Sequence, residues 1–194
     1  MKSDDADDLR SIVRRVRQGD RNAFGNIVAL FENRLMSLAT MIVRDPAAAE
    51  EIVQDSFVRA YVHIDRYDDK RALYPWLATI AVRLSLNWNA RRQRSRIDAS
   101  AEPERHAADT NPEQELSLDQ GRMRLWSAVE ALPKGERLAI LLCYRQEMSV
   151  AEAARALEVT NGTVKTWLFR ARRKLRKELT HPAVSDLSQV EESI

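Results

Sequence analysis

The chain has little of what most functional classes depend on. Its 194 residues include one cysteine, five glycines, six prolines and three histidines, and 6% are aromatic. A lone Cys143 forms no internal disulfide, which excludes a disulfide-built secreted domain. Set among Ile140, Leu141, Leu142 and Tyr144, it reads as a buried structural thiol. His63, His106 and His181 are scattered along the chain. No Cys/His cluster has metal-ligand spacing, and no phosphate-cradling glycine loop or nucleophile elbow occurs. The expectation is no metal, no cofactor and no catalytic site. Alternating β-branched runs are nearly absent, which argues against a sheet. No apolar run approaches the length of a membrane span, and the opening MKSDDADDLR lacks the basic and apolar regions of a secretory signal. A cytoplasmic protein without direct membrane insertion is therefore expected.

What is present points to helices. Hydrophobic residues make up 44% of the chain, enough for a core, and they recur at helical spacing, so the expected fold class is all-α. A first body covers residues 9–96. Leu9, Ile12, Val13 and Val16 form a short amphipathic stripe that ends at Gly19, with Asp20 placed to cap the next helix. That long helix carries Phe24, Ile27, Val28, Phe31, Leu35, Leu38 and Ile42. Asp45–Pro46 is a strong start signal for a third helix, because Asp accepts early N–H bonds and Pro suits the first helical position. The third helix carries Ile52, Val53, Phe57, Ala60, Tyr61 and Ile64. A polar interval from Asp65 to Tyr74 leads to a fourth, with Leu77, Ile80, Ala81, Leu84 and Trp88, which ends in Arg91, Arg92, Arg94 and Arg96.

Residues 97–115 are rich in Ala, Pro, Asp and Glu and read as a flexible acidic linker. A second body spans residues 116–180, with Asn111–Pro112 as a cap just before it and Leu118, Leu125, Trp126, Val129 and Leu132 on its first helix. Residues 181–194 form a polar tail that reads as disordered. Within the second body, Ser149 and Glu152 make a capping box. The helix they start is followed by a turn and then by a second helix, capped by Thr160 or Asn161. Its apolar stripe is Val164, Trp167, Leu168, Ala171 and Leu175. From Lys165 to Lys177 this helix has seven Lys/Arg and no acid. A capped helix, a turn and a cationic helix together make a helix-turn-helix suited to a DNA major groove. Glu158 occupies a turn position that favours glycine, where a left-handed backbone costs about 1–2 kcal/mol, so another turn form is expected.

The net charge of +2 hides a segregation. From Pro133 to Thr180 there are eleven Lys/Arg and five Asp/Glu, a net +6, which leaves −4 for the remainder. Positive surface confined to one region favours oriented binding over general coating of nucleic acid.

These segments in their order resemble the extracytoplasmic-function sigma factors of bacterial RNA polymerase, in the sigma-70 family. The resemblance rests on GDRNAF (Gly19–Phe24), RDPAAAEEIVQDSFVRAY (Arg44–Tyr61) and PWLATIAVRLSLNWNARRQR (Pro75–Arg94). In the second body it rests on ALPKGERLAILLCYRQEMSVAEAARAL and GTVKTWLFRARRKLR (Gly162–Arg176). It implies a sigma-two-like domain, a linker and a sigma-four-like helix-turn-helix domain, without catalysis. Such proteins bind core polymerase and direct it to promoters. The first domain opens the −10 element and the second reads the −35 element as duplex.

By charge alone, the acidic side of the third helix is equally a solvated face and a docking face. The resemblance implies that Glu50, Glu51, Gln54 and Asp55 dock the clamp helices of the polymerase's largest subunit. Opening DNA calls for stacking partners beside cations. The resemblance assigns this to Arg66, Tyr67, Lys70, Arg71, Tyr74, Trp76, Arg83, Asn87, Trp88, Arg91 and Arg92, although Trp76 and Trp88 read equally as core. Arg83 and Asn87 stand where the family commonly has asparagine and aspartate. For the −35 element it assigns Lys165, Thr166, Phe169 and Arg170 to base edges, and Arg155, Thr163, Arg172 and Arg173 to phosphates. Trp167 reads as core. Arg176 and Lys177 face either the polymerase flap or solvent. The linker is a passive tether or an acidic strand mimic. The resemblance further implies an anti-sigma protein that holds the chain near the membrane. A stand-alone helix-turn-helix regulator is the competing reading.

Overall fold

A computed structural model describes residues 3–98 and 118–180, and every element within them is helical. The acidic linker from residue 99 onward, the Asn111–Pro112 cap and the 181–194 tail lie outside the described residues. By proximity, the described chain falls into two compact units. One holds the first four helices together with Ala151–Val159, and the other holds the described residues 118–150 and 160–180.

In the first unit, α1 (Ser3–Arg17) buries Leu9, Val13 and Val16, a stripe of one-turn steps. Gly19 then takes φ +93, a left-handed turn that only glycine adopts without penalty. Asp20 accepts N–H bonds from Asn22 and Ala23 at 3.0 and 3.1 Å and so starts α2 (Arg21–Val43). Its carboxyl titrates below the ordinary range. The hydrogen bond from Arg15 is the main cause, followed by the Ala23 N–H.

Contrary to the expectation from sequence, α2 is long and apolar enough to cross a membrane, with a mean hydropathy of 1.2. Its apolar residues serve a bundle core. Ala23, Ile27, Phe31, Leu35, Leu38, Ala39, Ile42 and Val43 are buried, and α2 packs on α1, α3 and α4. Each fully buried Leu or Ile there contributes about 1.5–3 kcal/mol.

Arg44 (φ 56) ends α2, and Asp45 caps α3 (Pro46–Val62) by accepting from Ala48 at 3.1 Å. A 3-10 turn, Ile64–Arg66, follows. Then α4 runs from Leu73 to Asp98. It starts before the expected boundary, taking Tyr74 and Pro75 into its first turn, and its last turn includes Ile97 and Asp98, which sequence placed in the linker. Pro75 is tolerated because first-turn N–H groups lack helical acceptors.

The second unit begins with α5 (Leu118–Glu130). Pro133 breaks the chain before α6 (Lys134–Ile140), which continues as a π turn at Leu141–Arg145, closed by Gln146 N–H on the Leu141 carbonyl at 3.0 Å. The helix α7 (Val150–Leu157), whose residues from Ala151 onward group with the first unit, starts directly after Ser149 and buries Ala153, Ala154 and Ala156. Glu158 adopts φ 57 after all. Val159 N–H bonds the Ala154 carbonyl at 3.0 Å, the six-to-one bond of a Schellman ending, which offsets the left-handed penalty. Thr160 then caps α8 (Asn161–Thr180), its hydroxyl accepting from Thr163 N–H at 3.1 Å.

Candidate nucleic-acid interface

The axis of α8 separates a packing side from a polar side. Val164, Leu168 and Ala171 are buried. Trp167 is half-buried, with its ring against Gly135 so closely that a Cβ there would lie 2.6 Å away. That places Trp167 on the packing side, as its apolar spacing predicts. On the other side Lys165, Thr166, Phe169, Arg170 and Arg173 are exposed, at steps that share one face. Phe169 is 65% exposed, so an aromatic ring stands in solvent between cations.

Three of the basic or polar positions are less available than the sequence suggests. The Thr163 hydroxyl bonds Thr160 at 2.9 Å. Lys174 donates to the buried Glu136 carboxylate at 3.0 Å. Arg172 lines an apolar groove of about 370 Å³ with Leu125, Trp126, Tyr144 and Leu175. The π turn presents Tyr144 at this groove, 57% exposed. Cys143, in the same turn, is half-buried. Burial pushes its thiol up while Arg172 acts in the opposite direction. Arg155 is exposed on α7.

On α3, Glu50, Glu51 and Gln54 are exposed, and Asp55 is half-buried and paired with Arg59 at 3.0 Å. Gln54 donates to Glu50 at 3.4 Å. One and two turns beyond Gln54 stand Val58 and Val62, 60% and 64% exposed. Sequence reading missed them. Their signal was present: two β-branched residues fall off the buried stripe but align with the acidic face.

The loop before α4 and the outer face of α4 separate the aromatic residues from the cations. Arg66, Lys70, Arg71, Arg83, Asn87 and Arg91 are exposed. Arg71 pairs with Asp68 at 3.1 Å. Within the same unit, Arg83 pairs with Glu158 at 3.3 Å and donates to the Arg155 carbonyl. Tyr67 and Tyr74, read from sequence as stacking partners, are each only 6% exposed. The Tyr67 ring lies against Trp76, with centroids 5.4 Å apart, and its hydroxyl donates to the Arg71 carbonyl. Burial, then Asp69, raises its pKa. Tyr74 packs on Phe31 at 5.7 Å beneath the Arg34 guanidinium, 3.7 Å from the ring centroid.

Both tyrosines are core residues here because Tyr67 packs on Trp76 of α4 and Tyr74, in the first turn of α4, packs on Phe31 of α2. Trp76 and Trp88 are half-buried. Arg92 sits 5.0 Å over Trp88 and pairs with the cap residue Asp45 at 3.2 Å. Among the described residues, no group of three or more His, Cys, Asp or Glu could hold a metal.

Comparison with known proteins matches residues 27–96 to the model for sigma-70 region 2 and residues 122–175 to that for sigma-70 region 4. The ECF sigma-E factor of Salmonella typhimurium is 31% identical over 170 residues, spanning 83% of this chain and 88% of that protein. The ECF sigma factor SigW of Bacillus subtilis is 29% identical over 181 residues, spanning 88% and 96%. Two solved structures share the fold at 25% identity. The sigma factor RpoE of Bartonella quintana, bound to the anti-sigma factor NepR, gives a TM-score of 0.66 over 80% of this chain and 96% of that one. CnrH bound to the cytosolic domain of CnrY gives 0.62 over 88% and 96%.

A helical pair of units with a cationic helix-turn-helix defines a two-region transcription initiation factor. The chain belongs to the extracytoplasmic-function sigma factors of RNA polymerase. It is an alternative sigma factor that acts in promoter-specific transcription initiation. Both sigma regions are present in order, matched across most of the chain, which sets aside the stand-alone regulator.

Proposed function

We propose a residue-level division of labour for this sigma factor. The α3 face of Glu50, Glu51, Gln54 and Asp55, extended by Val58 and Val62, docks the clamp helices of the polymerase's largest subunit. The exposed cations Arg66, Lys70, Arg71, Arg83 and Arg91, with Asn87, hold the −10 strand. The α8 face of Lys165, Thr166, Phe169 and Arg170 reads the −35 duplex, with Arg173 on phosphate. Supporting this above all is Phe169, 65% exposed among cations on a capped helix. Flanked by cations on the helix-turn-helix face, this ring is placed to pack on thymine methyl groups while Lys165 and Arg170 reach base edges. The apolar groove beside α8, rimmed by Arg145 and Arg172, supports a second polymerase contact through the flap element.

The chain carries no catalytic role in this reading. It acts in the cytoplasm under an anti-sigma protein, as the complexes of RpoE with NepR and CnrH with CnrY suggest. Run-off transcription with core polymerase on a promoter library tests it. Initiation should select a paired −10 and −35 sequence, and Arg170→Ala should relax one −35 position by about 1–3 kcal/mol. Unchanged −35 preference in Lys165→Ala and Arg170→Ala would remove α8 as the reader.

A further inference from the structure

We infer that Arg17 and Arg10 of α1 are positioning residues for the loop between α3 and α4, and that −10 discrimination depends on the shape they impose. This rests on the −10 assignment above. A loop without a regular ladder leaves carbonyls that need donors. Here the Ile64 carbonyl accepts from Tyr67 N–H at 3.2 Å within the 3-10 turn, and side chains supply the further donors. Arg17 Nε and Nη2 lie 3.4 and 3.3 Å from the Ile64 carbonyl oxygen, and Nη2 also donates to the Tyr67 carbonyl. Arg10 Nε donates to the Asp69 carbonyl at 3.3 Å, and Arg17 Nη1 is 3.9 Å from the Asp69 carboxylate. The Arg17 side chain is 29% exposed, so these bonds are partly shielded from water.

Two arginines on one helix thus reach the Ile64, Tyr67 and Asp69 carbonyls. From beneath, the Tyr67 hydroxyl holds the Arg71 carbonyl. On the outside, Lys70 N–H bonds Asp68 at 3.1 Å and Arg71 pairs with Asp68. The loop is held at every second or third residue, and Arg66, Lys70 and Arg71 project from it. The planar fork of Arg17 bridges two carbonyls three residues apart, which a lysine ammonium reproduces poorly. The α1 cations also offset Asp65, Asp68 and Asp69, whose charge would otherwise repel a DNA strand. The region 2 match begins at residue 27, so α1 lies outside it.

The test uses the full chain bound to core polymerase. Binding of single-stranded oligonucleotides carrying a selected or a scrambled −10 element is read by anisotropy. The variants are R17M, R17K, R10Q and the loop control K70A/R71A. R17M should cut discrimination between the oligonucleotides about tenfold, as expected for lost charge-assisted bonds. R17K should remain defective despite its charge. R10Q should lose about threefold without a change in thermal midpoint or core affinity.

A role confined to stability would shift the midpoint and leave base discrimination intact. If R17M fails to fold, R17K and R10Q decide the matter. Retained discrimination in the arginine variants, with K70A/R71A defective, overturns the positioning role and leaves the loop assignment standing. Retained discrimination in K70A/R71A overturns the loop assignment, and the positioning role with it.

Discussion

At the scale of residues, the same side-chain type divides between folding and binding according to what surrounds it. Tyr74 is the clearest case. Burial pushes its phenol up to about 12, against the opposing pull of Arg34. The folded chain therefore keeps Tyr74 neutral where the unfolded chain ionises, and stability is lost as pH rises from about 10 to 12. Urea unfolding at pH 9 and 11 should show a drop that Tyr74→Phe reduces, with Tyr67 retaining part of it. The cations of α8 divide in the same way. Lys174 is taken up by Glu136, whereas Arg173 is exposed beside the proposed duplex face. Titrating −35 duplex binding against salt should show Arg173→Ala lowering the slope by about one, while Lys174→Ala barely changes it. Equal slopes for the two variants would contradict this division.

At the scale of elements, helix ends hold the first unit in register. Asp45 caps α3 and binds Arg92 of α4, and Asn89 donates to the Ile42 carbonyl at the end of α2, 2.9 Å away. Three helices therefore meet at one polar corner. Asp45→Ala should cost about 1–2 kcal/mol in chemical denaturation, since both the cap and a half-exposed ion pair are lost. Asp45→Asn keeps the cap and should cost less than about 1 kcal/mol. Close packing limits α6 and α8 similarly. Gly135→Ala would place a methyl group 2.6 Å from the Trp167 ring. Overpacking of this kind costs about 1–3 kcal/mol, and it should appear as a lower unfolding midpoint together with a shift in Trp167 fluorescence.

At the scale of the whole molecule, acidic and basic side chains gather on different helices, Glu50, Glu51 and Asp55 on α3 and Lys165, Arg170 and Arg173 on α8. Residues 9–96 carry sixteen Lys/Arg and nine Asp/Glu, so the acidic α3 face is a local patch on a basic unit, and a local patch of that kind suits a factor that grips a protein machine with one helix face and DNA with others. Asp55→Lys should lower the affinity for core polymerase about tenfold, the order of one lost charge contact, and leave −35 preference unchanged. Arg170→Ala should do the reverse. Combined, the two should act additively, because they share no partner. Native-gel assembly and duplex anisotropy on the double variant measure both terms.

Much of this architecture was legible before any coordinates. Asp20, Asp45–Pro46, Ser149 and Thr160 mark where helices begin, because capping acts within three or four residues along the chain. Apolar spacing marked α2 and α8 for the same local reason, and the motifs in order identified the family. Competition for side chains was decided only in three dimensions. The sequence could not show that Arg92 reaches Asp45, that Lys174 reaches Glu136, or that Tyr67 and Tyr74 turn inward. Those pairings depend on residues as far as 47 positions apart, and burial is fixed by which helices pack together.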